Sequence, residues 1–98
     1  MEQAIESRDV RQVRRLVEAG SDLEERLFNR ATPVIVAGTA DAWDIVLYLL
    51  RQGADPAAAN RQGLTIARLA RTANLLSSTR EYRDLEAVRA ILRERGLY

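Results

Sequence analysis

Apolar residues fall into three stripes with helical spacing. Val10, Val13, Leu16 and Val17 stand at i, i+3, i+6 and i+7, one face of an α-helix. Leu85, Val88, Ile91 and Leu92 repeat that spacing, and Ile45, Val46, Leu49 and Leu50 also gather on one helical face. A glycine follows each stripe (Gly20, Gly53, Gly96), as expected at the left-handed position that closes a helix. Asp9 and Asp84 precede the first and last stripes as expected N-caps, where a short carboxylate accepts from the free amides of the first turn. Thr32-Pro33 reads as a cap followed by proline at the first helical position, with Thr65 as a second cap.

These elements recur. Leu16-Val17-Glu18-Ala19-Gly20-Ser21-Asp22 lies over Leu49-Leu50-Arg51-Gln52-Gly53-Ala54-Asp55 at a spacing of 33, and Val13/Val46, Thr32/Thr65 and Ala37/Ala70 share it. A third copy, Asp84 to Leu92, lies over Asp9 to Val17 at a spacing of 75, two periods plus nine. About nine residues are therefore inserted between Leu75 and Arg83.

Thr32-Pro33-Val34-Ile35-Val36-Ala37, Ile45-Val46-Leu47-Tyr48-Leu49-Leu50 and Gly53-Ala54-Asp55-Pro56 resemble the ankyrin repeat, a succession of turn, helix, helix and long loop. The resemblance covers essentially the whole chain, as one domain over 1–98 with repeats at about 1–20, 21–53 and 54–98. It implies an all-α ankyrin-repeat solenoid: three stacked helix pairs joined by β-turn or hairpin-like loops, with an insertion in the last repeat. A lone helix pair cannot bury its apolar face, so about three are the minimum. Two departures stand out. The family usually has His where Ile35 and Arg68 stand, so its hydrogen-bonded tie between repeats must be replaced by packing or is lost. Gly63 keeps the family's glycine at the finger turn, but Arg30 replaces it in the first finger, which is expected to take a different turn or to carry strain.

Composition narrows the function. With 98 residues, 47% apolar and 30% charged, the chain reads as one soluble globular domain. It has no Cys and no His, which excludes disulfides, thiol chemistry and most zinc sites. A net charge of +1 gives no global field for nucleic acid or anionic membrane, and acids interleave the arginines. All 15 basic residues are Arg, which suits protein interfaces and is also explained by codon composition. No apolar run is long enough to span a bilayer, and no signal-peptide pattern is present. With Met1 as the natural start a cytoplasmic location is expected, or a periplasmic one if a leader was removed. Ser77-Ser78 has no candidate base, and no phosphate-binding glycine loop occurs. Asp22, Glu24 and Glu25, or Asp41 and Asp44, do not supply the ordered oxygen set of a hard-cation site. No enzyme, cofactor or metal is expected.

The resemblance implies a protein partner met by loop tips and the first helix of each pair. Carried onto this chain, it points to one finger through Glu25, Arg26, Phe28, Asn29 and Arg30. A second runs through Ala59, Asn60, Arg61, Gln62 and Leu64, beside Thr39, Ala40, Thr72 and Ala73. Phe28, the only Phe, is either an interface anchor or a cover over the first helix pair. Trp43 reads as core, and Tyr48 as partly exposed on the convex side. Within the insertion, Arg80, Tyr82 and Arg83 form either a loop patch for a partner or a packing element. In the second case Leu75 and Leu76 extend the inner helix and Tyr82 sits beneath the last one. Glu2, Glu6, Arg8, Arg11 and Arg15 at one end, and Arg89, Arg93, Glu94 and Arg95 at the other, read as solvated end faces. The expected function is a protein–protein interaction module, monomeric when free, acting as an adaptor or as an inhibitor of a toxin or enzyme. Small bacterial ankyrin proteins similar to this one serve as immunity partners of toxins. The alternative is a structural or regulatory subunit that assembles with itself or a larger scaffold, for which Leu97-Tyr98 is the candidate apolar end.

Overall fold

A computed structural model describes residues 1–75 and 79–98. The described residues form six α-helices: α1 (Glu2–Glu6), α2 (Val10–Glu18), α3 (Pro33–Thr39), α4 (Trp43–Arg51), α5 (Ile66–Thr72) and α6 (Arg80–Glu94). A short 3-10 turn spans Phe28–Arg30, and one isolated bridge pairs Ala59 with Thr65. No strand occurs among the described residues, so the domain is all-α.

Local chemistry sets the helix ends. The Asp9 carboxylate accepts from the Gln12 amide at 3.1 Å, and the Thr65 hydroxyl accepts from the Arg68 amide at 3.3 Å. Gly20, Gly53 and Gly96 all take positive φ. Beside each, an amide reaches back five residues to close the helix: Ser21 to Leu16, Ala54 to Leu49 and Leu97 to Leu92. Arg8 and Asp41, 33 apart, are left-handed at φ 59° and 56° in the tight turns that fold α2 back on α1 and α4 back on α3. The Arg8 guanidinium joins the two turns by donating to the Ala40 carbonyl at 2.9 Å.

The last helix differs from its expectation. Asp84 lies inside α6 and is not its N-cap; Thr79 holds that place and accepts from the Tyr82 amide at 3.2 Å. Arg80 and Glu81 are good helix formers, and they carry the helix beyond the start implied by the repeat alignment. Arg80, Tyr82 and Arg83 therefore belong to a helix and not to a loop. α5 ends at Thr72, so it does not extend through Leu75, while Leu76, Ser77 and Ser78 lie outside the described residues.

The helices pack in two rows. In one, α3 touches α1 and α5; in the other, α4 touches α2 and α6. The rows meet through α1 with α2, α3 with α4 and α5 with α6, enclosing one core. Ile5, Val13, Ile35, Trp43, Ile45, Leu49, Ile66, Leu85 and Leu92 are fully buried there. Each such aliphatic side chain contributes about 1.5–3 kcal/mol relative to exposure. Gly38 brings α3 close to α5, because a Cβ on it would lie 2.5 Å from Ile66 Cδ1. Between α5 and α6, Arg89 donates to the Ala70 carbonyl from Nε at 3.2 Å and Nη2 at 2.8 Å.

Candidate functional site

Two loops beside α3 are built alike. In the first finger the Leu27 amide donates to the Ala31 carbonyl at 2.8 Å, and the Arg30 amide to Leu27 at 2.9 Å. In the second, 33 residues on, Asn60 donates to Leu64 and Gly63 to Asn60, both at 3.0 Å. The Asn60 side-chain oxygen also accepts from the Gln62 and Leu64 amides at 3.0 and 2.9 Å, an Asx turn that fixes the second tip. Arg30 shares the left-handed conformation of Gly63, at φ 58°, but Asn29 before it is left-handed as well, at 59°, where its counterpart Gln62 is not, so the first tip takes a different turn. Both outcomes expected for Arg30 are present: the turn differs from that at Gly63, and a residue with a Cβ is held at positive φ.

The fingers are tied to each other. The Arg61 amide donates to the Asn29 carbonyl at 3.0 Å, and the Asn29 side-chain amide donates to the Gln62 side-chain oxygen. Arg26 Nη1 bridges the Arg30 carbonyl at 2.9 Å and the Ala59 carbonyl at 2.8 Å. Arg26 was expected to face a partner; its guanidinium is engaged in holding the fingers together.

Phe28 is 82% exposed, so it does not fold back over the first helix pair. It stands on the edge of a groove of about 460 Å³. Ala31, Ile35, Val36 and Leu64 supply aliphatic lining, while Asn29, Asn60 and Gln62 come from the fingers. Thr39 and Ala40 close the end of α3, and Glu2 and Glu6 of α1 form the remaining lining. The groove thus gathers Phe28, Asn29, Asn60, Gln62 and Leu64 from the expected fingers, with Thr39 and Ala40. Arg30 and Arg61 are exposed but do not line it. Glu2, Glu6 and Val36 were not expected there. Their i, i+4 spacing puts Glu2 and Glu6 on one helical face, but only the packing of α1 beside α3 brings that face to the groove.

Arg80 and Tyr82 lie elsewhere, on α6. Arg80 lines a second depression of about 330 Å³ with Arg14, Asp44, Tyr48, Arg51 and Asp84. Arg14 lies over the half-buried Tyr48 ring, 5.1 Å from its centre. Burial, and then the Asp44 carboxylate, push the Asp84 pKa above its ordinary value against the opposing pull of Arg80.

Other expected features have structural roles. Trp43 is fully buried, and its Nε1 donates to Asp41 Oδ1 at 3.1 Å. Asp22 accepts from the Glu24 amide, and the Glu24 carboxylate from the Asp55 amide, both at 2.9 Å. Among the described residues no group of three or more acidic side chains could hold a metal ion, and no helix is long and apolar enough to cross a membrane. Leu97 and Tyr98 are half-buried against the core, with Arg71 and Arg93 over the Tyr98 ring at 5.5 and 5.1 Å. They do not form a free apolar end. Compared with family models and with curated proteins, the chain matches none.

Proposed function

We propose that this chain is an ankyrin-type solenoid of three helix pairs that binds another protein along the groove between its fingers and the α1–α3 row. Three observations support the solenoid reading: the 33-residue spacing, the two rows of helices and the two equivalent fingers. The observation that carries the binding reading is Phe28, an aromatic ring left 82% exposed at the edge of an aliphatic groove. A contiguous apolar patch rimmed by polar groups is the usual mark of a docking site, and here the Phe28 ring adjoins Val36 and Leu64 with Asn29, Asn60 and Gln62 in the same lining. The interlocked fingers present this surface already shaped, which lowers the ordering cost of association. The carboxylates in the lining disfavour a phosphate backbone as ligand. Affinity capture from the source organism tests the reading, comparing wild type with Phe28→Ala/Thr39→Arg, which removes the ring and fills the groove. Loss of a captured protein with the helical circular dichroism intact is expected. Equal capture by both proteins would overturn it.

A further inference from the structure

The lining of the groove states what kind of segment it takes. The chain carries 15 arginines, yet none lines the groove. Its charged members are Glu2 and Glu6 alone, so the lining has a formal charge of −2. The two carboxylates stand at i and i+4 on a five-residue helix, where like charges repel, and no basic residue follows in the last turn of that helix. Among the described residues neither carboxylate makes a hydrogen bond or an ion pair; the ion pair present is Arg89 with Glu86. The amide groups of the lining are different. Asn29 donates to Gln62, and Asn60 accepts from two backbone amides, so one polar atom of each of these three side chains is engaged.

The aromatic rings show the same contrast. Arg14 lies over Tyr48, and Arg71 and Arg93 over Tyr98, whereas among the described residues no guanidinium lies over the exposed Phe28 ring. A cation is attracted both to an open aromatic face and to unpaired carboxylates. Between these groups the groove offers aliphatic surface from the half-buried Val36 and Leu64.

We propose that the groove receives a peptide segment of a partner protein that combines aliphatic side chains with at least one Arg or Lys, the cation placed against Glu2, Glu6 and the Phe28 ring. This rests on the docking reading above and adds the charge of the occupant to it. An acidic segment would bring like charge to both carboxylates with no cation in the lining to offset it. A second copy of this chain is the remaining occupant to separate by experiment.

The test uses the full chain and a display library of random dodecapeptides. Selection on wild type is expected to enrich Arg and Lys together with aliphatic residues. The most enriched peptide should bind Glu2→Gln/Glu6→Gln roughly fivefold more weakly than wild type at low salt, as two partly exposed ion pairs allow. That gap should shrink as salt rises, and circular dichroism should not change. Peptides that need Phe28 but show no basic excess, or that bind the double variant equally well, would overturn the charge proposal and leave the groove standing. Acidic enrichment would do the same. If no peptide is enriched, or the enriched ones bind Phe28→Ala undiminished, the docking reading falls and the charge proposal with it. Sedimentation showing a wild-type dimer that Phe28→Ala dissociates would assign the groove to a second copy and overturn the proposal.

Discussion

Arg30 and Gly63 occupy the same position of the two finger turns, 33 residues apart, and both are left-handed, at φ 58° and 81°. For a side chain with a Cβ this conformation costs about 1–2 kcal/mol, whereas glycine adopts it freely. The left-handed conformation holds at Arg30 because neighbours over-determine it. Its amide donates to Leu27, its carbonyl accepts from Arg26, and the finger is tied to the next at Asn29. Arg30→Gly should therefore stabilise the domain by about 0.5–1 kcal/mol, after subtracting the extra freedom glycine gives the unfolded chain. Gly63→Ala should destabilise it by a similar amount. Urea unfolding followed by the emission of the buried Trp43 reads both. A lower midpoint for Arg30→Gly would show that the arginine side chain supports the finger in a way its backbone does not reveal.

Thr32 and Thr65 form a second pair at this spacing, and they have different uses. Thr65 caps α5 with its hydroxyl. At Thr32 the backbone carbonyl takes both the Ile35 and Val36 amides at 3.0 Å, and the fully buried hydroxyl has no partner among the described residues. A buried hydroxyl without a hydrogen bond costs about 1–3 kcal/mol. Thr32→Val keeps the shape and removes that cost, so it should raise the midpoint of thermal unfolding. Thr65→Val loses a cap and should cost about 1 kcal/mol, roughly 4–8 °C for a domain of this size. Parallel melts of the two variants check this, and a loss at Thr32→Val equal to that at Thr65→Val would contradict it.

Period and punctuation made much of this fold legible in the sequence. The apolar stripes place α2, α4 and most of α6, the glycines place three helix ends, and the spacing of 33 matches the two fingers. Thr79 as the start of α6 was missed because alignment to the Asp9 copy drew the boundary to Asp84, although Arg80 to Arg83 continue the helix without a breaker. Within the candidate site, Phe28 was legible as a ring in a loop, but its exposure was not, since a loop aromatic can face either way. Glu2 and Glu6 were hidden for another reason. Acids on a first helix are usually a solvated end face, and only the packing of α1 beside α3 turns them toward the groove.

Asp84 makes stability depend on pH in an unusual direction for a carboxylate. Burial and the Asp44 charge raise its pKa in the folded state. The folded protein therefore holds the proton more firmly than the unfolded chain. Its contribution to stability is complete below the ordinary carboxylate pKa and is lost as pH rises through the higher folded value. At neutral pH the charged Asp84 is a net cost. Asp84→Asn should be more stable than wild type at pH 7, and the gap should narrow as pH is lowered through the acid range. Urea midpoints of both proteins from pH 7 down to pH 3 check the sign; a gap that widens on acidification would reverse the assignment.

Arg89 is the cation whose loss should damage the third helix pair most. α5 is seven residues long, and Ala70 is among the four residues whose carbonyls have no partner within the helix. Thr72 Oγ1 donates to the Arg68 carbonyl one turn back, and the Ala70 carbonyl is left to Arg89. Burial is the largest influence and works against the Arg89 charge, but the hydrogen bond to Glu86 together with the charge interactions with Tyr98, Glu86 and Tyr82 outweighs it and holds the pKa above its ordinary value, so the guanidinium stays charged. Arg89→Met keeps an apolar stem of similar reach and removes every donor, leaving the carbonyl of a fully buried residue unpaired. The expected loss is about 1–3 kcal/mol. Glu86→Gln weakens only the partly exposed ion pair, made at 2.5 Å, and should cost less than about 1 kcal/mol. Amide exchange sharpens the test: the α5 amides should exchange faster in Arg89→Met while those of α3 stay close to wild type. Equal losses for the two variants would mean that the ion pair, and not the bridge to Ala70, holds α5 against α6.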